Sequence, residues 1–133
     1  MKIKELKIPL YGYDLAIVQL EASDTSQQIA RFLQRRGLGK DELDEELYYH
    51  NGELCFQTNR IDGGITLSNP KLKQIIVLFY PFSSEIEREN VFSHEKRHVE
   101  DRLLRYAQID DYESAGLLAG WLGVKFYEFK KTL

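Results

Sequence analysis

The segment from 91 to 99 reads Val91-Phe92-Ser93-His94-Glu95-Lys96-Arg97-His98-Val99. It contains H-E-x-x-H. On a helix, side chains four apart share one face a turn from each other, so both imidazoles can reach one ion. The glutamate between them neighbours that ion without ligating it, and is placed to take a proton from a water there. The chain has three histidines, two of them in this motif. A chance match in a chain this long is expected on the order of 0.01 times, which makes the pattern fairly specific.

The flanking sequence supports a helix. No proline or glycine interrupts the chain between Pro81 and Gly116. Ser83 or Ser84 can cap the start, with Glu85 and Glu87 in the first turn. The predicted end is near Tyr106 or Ala107. With Val91 at zero and about 100° per residue, Phe92, Val99, Leu103 and Tyr106 fall between roughly 60° and 120°. Glu95, at about 40°, falls inside this apolar arc, and His94 and His98 fall on its margin. Lys96 and Arg97 fall largely outside it. An inward carboxylate is costly unless something pairs with it. A water at a bound zinc ion would explain the placement, and so would a salt bridge to an arginine.

Two imidazoles do not complete a zinc site, since a catalytic site usually has three protein ligands. No cysteine or histidine follows His98. The third ligand is therefore expected to be a carboxylate, unless His50 returns in space. A second helix is predicted from Asp110 or Asp111 toward Lys131. It offers Asp110, Asp111 and Glu113, and Glu113 is the choice. Gly116, Leu117 and Gly120 share its face, and two glycines there would let the backbone approach the preceding helix. Asp110 and Asp111 are explained more simply as helix caps. One of them, or Asp101, could orient a ligand imidazole.

HEKRH followed by DDYESAGLLAGWLG resembles the core of the HExxH zincin metallopeptidases, in their gluzincin branch. The chain looks closest to small zincin-like proteins of bacterial phage and mobile elements, and the specific resemblance covers about residues 85–125. It implies zinc held by His94, His98 and Glu113, with Glu95 as general base and then acid. It also implies hydrolysis of a peptide bond in a peptide or protein substrate. Lys96 and Arg97 depart from the small or apolar residues often found between the histidines. That departure, with the small size, motivates an alternative: a catalytically inactive zincin-fold binding or accessory protein of a phage or mobile element.

The rest of the chain supplies strands. Residues 3–20 read as a hairpin, with Tyr11 to Asp14 near its turn. Ser23-Asp24-Thr25 is a cap cluster before a helix over 24–36 that stops at Gly37. Leu47 to Tyr49 reads as either a short helix end or a strand, and further strands are expected at 53–58 and 65–67, with turns at Asn51-Gly52 and Asp62-Gly63-Gly64. Lys73 to Phe79 is the most strand-like stretch and is expected to be central. A strand edge between Glu53 and Leu67 could hold an extended peptide. The expected fold is α+β: a small mixed or antiparallel sheet, an early helix, and two long C-terminal helices on one side of it, all in a single domain over 1–133.

Composition agrees. The chain has 133 residues, 43% hydrophobic and 29% charged, with one cysteine. That cysteine, Cys55, excludes an internal disulfide framework and cysteine-rich zinc sites, and it fits a reducing cytoplasm. No run has the roughly 18–20 apolar residues of a membrane span, and no signal peptide is evident. A formal net charge of −3 gives a nucleic-acid partner no bulk electrostatic support. Arg31, Arg35 and Arg36 read most simply as a solvated helix end.

Overall fold

The computed structural model describes residues 1–39, 47–50, 53–56 and 63–133, the two short middle segments as backbone only. The expectations for Asn51-Gly52, 57–58 and Asp62 lie outside the described residues, as do those for the side chains of His50 and Cys55. The chain divides into two compact units, Met1–Pro81 and Phe82–Leu133.

In the first unit, β1 (Lys2–Lys7) and β2 (Asp14–Gln19) form the expected hairpin. The chain turns through Leu10 and Gly12, both at φ 72°, and the Ile8 amide donates to the Tyr13 carbonyl at 2.8 Å. α1 (Ser26–Arg35) starts at Thr25, whose hydroxyl accepts from the Gln28 amide while the Gln28 side chain accepts from the Thr25 amide. This reciprocal cap satisfies two amides that a helix start leaves open. β3 (Leu47–His50) and β4 (Glu53–Phe56) form a separate antiparallel pair. β5 (Gly64–Asn69) and β6 (Gln74–Phe79) form another hairpin.

The main sheet runs in the order β1-β2-β6-β5. β2 and β6 pair in parallel, from Asp14 opposite Gln74 to Gln19 opposite Phe79. The sheet is therefore mixed, and β6 is interior as expected. Both inner strands are continuous apolar runs, which suits strands buried on both faces. Ala16, Val18, Ile76 and Leu78 pack in one cluster with Ile29, Phe32 and Leu33 of α1. The alternate residues Leu15, Ile17, Ile75, Val77 and Phe79 are fully buried too. Edge strand β1 is mostly exposed and carries Lys2, Lys4 and Lys7, charges that discourage pairing with another chain. Gly37, at φ 79°, ends the α1 region, and the Asn69 side chain donates to its carbonyl at 2.8 Å.

The second unit is a helical hairpin. α2 (Glu85–Tyr106) is capped by Ser84, whose hydroxyl accepts from the Glu87 amide at 3.1 Å. α3 (Tyr112–Lys130) is capped by Asp111, whose carboxylate accepts from the Ser114 amide at 2.8 Å. Phe92 joins the helices: its ring centroid lies 6.2 Å from that of Phe126 and 6.4 Å from that of Phe129, with Phe82 at 5.9 Å. Glu89 pairs with Lys130. The start of α2 thus meets the end of α3, so the two helices run antiparallel. Among the described residues no helix is long and apolar enough to cross a membrane.

Candidate metal centre on α2

Val91, Phe92, Glu95, Val99 and Leu103 are buried, and His94 and His98 are exposed at the border of that stripe. The burial follows the helical wheel, including the inward position of Glu95, which is 4% exposed. The two imidazoles turn toward each other. Their Nε2 atoms are 2.9 Å apart, with ring planes at 83°. At that distance one ring donates an N–H to the other. Two nitrogens bound to one tetrahedral zinc at about 2.0–2.1 Å lie about 3.3 Å apart. A rotation that opens the pair by about 0.4 Å would therefore let both rings hold one ion. His94, Glu95 and His98 can each offer a donor atom with all three within 4.8 Å of one another.

Glu113 is not part of that group. It is exposed in the first turn of α3. Its outward position has two independent causes. The contacts of Phe92 with Phe126 and Phe129 and the Glu89–Lys130 pair set the antiparallel register and align Glu113 with the last turn of α2. That level is about 12 Å along the axis beyond His98, at about 1.5 Å per residue. Around α3, Glu113 also lies about 140–180° from the buried stripe of Leu118, Leu122, Phe126 and Phe129. The expected close approach at Gly116 and Gly120 is not found, since a Cβ added at either would meet nothing within 4 Å. Those glycines lie on the outer face of α3, away from α2.

Asp101 makes an ion pair with Arg97, Nε to Oδ1 at 3.3 Å. Asp111 serves as the α3 cap, and the Ser114 hydroxyl and amide hold its carboxyl below the usual value of 3.8. No family model, curated protein or solved structure matches this chain.

The wheel gave no role to Glu100. It is buried, pairs with Lys96 one turn earlier, and has Arg97 at 3.8 Å. The Lys96–Glu100 spacing of four is the signal that could have revealed it. The charged Lys96 inside the motif thus neutralises a buried acid. Beside it, a shallow groove between α2 and α3 is lined by Phe92, Ser93, Lys96, Gly123, Phe126 and Tyr127. Its floor is aromatic, and its rim carries Lys96 together with Glu89 and Lys130, which pair with each other.

Proposed function

We propose that the protein is a zinc-dependent hydrolase of peptide bonds, with its metal held on α2 by His94 and His98. The observation that carries this reading is the convergence of the two Nε2 atoms, 2.9 Å apart, beside a buried Glu95 carboxylate. Imidazole pairs suit zinc better than hard cations, which take oxygen ligands. Zinc, when bound, supplies Lewis acidity to a substrate carbonyl and to water. Glu95 takes one proton from the attacking water as the oxygen adds to the carbonyl carbon. It then hands that proton to the departing amine as the C–N bond breaks, which leaves a carboxylic acid and a free amine.

Peptide cleavage by the zinc-loaded chain, followed by new amino termini, tests the reading. Glu95→Gln keeps both imidazoles and removes the base, so zinc binding is expected to persist while turnover falls by about 10²–10⁴-fold. Turnover that survives Glu95→Gln, or fails to follow zinc, would refute it.

A second reading is favoured by the outward position of Glu113. With two imidazoles and, among the described residues, no ligand from a second element assembled beside them, the chain would be a zincin-like binding or accessory protein without turnover. It predicts that the wild-type chain binds zinc, yet cleaves no member of a peptide library.

A further inference from the structure

We propose that two copies of this chain associate through the outer face of α3, antiparallel about a two-fold axis. The inner side of α3 is already occupied by the packing of Leu118, Leu122, Phe126 and Phe129. The outer side presents Leu117, 76% exposed, and Val124, more than half exposed, with the half-exposed Tyr127 at the border where it also lines the groove toward α2. Gly116 and Gly120 lie between them and leave open space above the backbone. A helix that is apolar on both sides is normally covered on both.

The charges identify what covers it. Glu113 and Lys131 stand at opposite ends of α3 and are separated by eighteen residues. Eighteen residues make about five helical turns, so both charges project at the same angle as the apolar face, about 27 Å apart along the axis. Among the described residues Glu113 has no ion pair, and the Lys131 ammonium lies over its own Tyr127 ring at 5.0 Å. A two-fold axis midway between these charges places Glu113 of each copy against Lys131 of the other. The same operation sets Leu117 opposite Tyr127, and Val124 opposite Gly120. A valine then faces the helix position with most room for it. An unrelated partner would need to supply this pattern of ends and hole separately, whereas a second copy carries it already. The contact is isologous, so each pairing occurs twice.

The test is sedimentation equilibrium of the full chain, from micromolar to near-millimolar concentration, with chelator present to exclude bridging through His94 and His98. A reversible dimer is expected. Glu113→Lys or Lys131→Glu alone should weaken it by about tenfold, because each turns two attractions into two repulsions. The double charge swap should return the affinity to near wild type. All these positions are exposed, and circular dichroism checks that each variant keeps its helices. A chain that stays monomeric, a dimer that forms only with zinc, or single reversals that the double swap fails to rescue would each overturn the proposal.

Discussion

Zinc is expected to raise the thermal midpoint of the wild-type chain, and His98→Ala is expected to abolish the effect. α2 already presents both Nε2 atoms on one side, 2.9 Å apart, so binding needs only a small opening of the rings. An unfolded chain has no such pairing. A ligand bound only by the native state stabilises it by about 2.7 kcal/mol at a hundredfold excess over its dissociation constant. Unfolding entropy near 2.1 cal/mol/K per residue gives this chain about 0.28 kcal/mol/K, so the midpoint should rise by about 10 °C. With His98→Ala one imidazole remains, and the rise should drop below about 2 °C. Differential scanning fluorimetry with zinc, and with magnesium as a control, reads both numbers. A His98→Ala shift as large as wild type would locate the zinc elsewhere and refute the pairing argument. No wild-type shift at any zinc concentration would refute it too.

Phe92→Ala should destabilise the second unit by about 3–5 kcal/mol in denaturant titration, because it empties the space between Phe82, Phe126 and Phe129. Lys96→Met should cost about 1–3 kcal/mol by leaving Glu100 buried with only the distant Arg97, whereas Lys96→Met with Glu100→Leu should recover most of that loss. Asp111 is held below its usual value in the folded chain, so its contribution is complete above pH 3.8 and fades as pH falls through the lower folded value. Helicity at 222 nm should therefore fall at acid pH in wild type, while Asp111→Asn should lose this component and keep its cap.

The helices were legible because their ends are marked. Ser84 and Asp111 carry the caps, and the apolar stripe of α2 repeats at helical spacing, so even the inward Glu95 could be read. The sheet was legible in its first hairpin, β1–β2, which is local, and in the interior place of β6. The parallel pairing of β2 with β6 was not, because an apolar run says that a strand is buried and not which strand lies beside it. Glu113 shows the limit at the site. Helical spacing fixes which residues share a face, but not which face meets the neighbouring helix. Five residues, 107–111, connect α2 to α3, and that short link folds the helices back so that the first turn of α3 meets the last turn of α2. Gly116 and Gly120 were read as a contact face, yet the larger apolar residues Leu118, Leu122 and Phe126 take the contact.

The parallel junction between β2 and β6 also sets an order on the growing chain. Asp14 and its partner Gln74 are sixty positions apart. At about 5–20 residues per second, β2 waits roughly 3–12 s after synthesis before its neighbour exists. During that interval the first hairpin shows its unmatched edge and the apolar side chains of Leu15, Ile17 and Val18 to the surrounding solution. Until β6 arrives that edge of β2 stays open to pairing with another strand, and the lysines of β1 guard only the other edge.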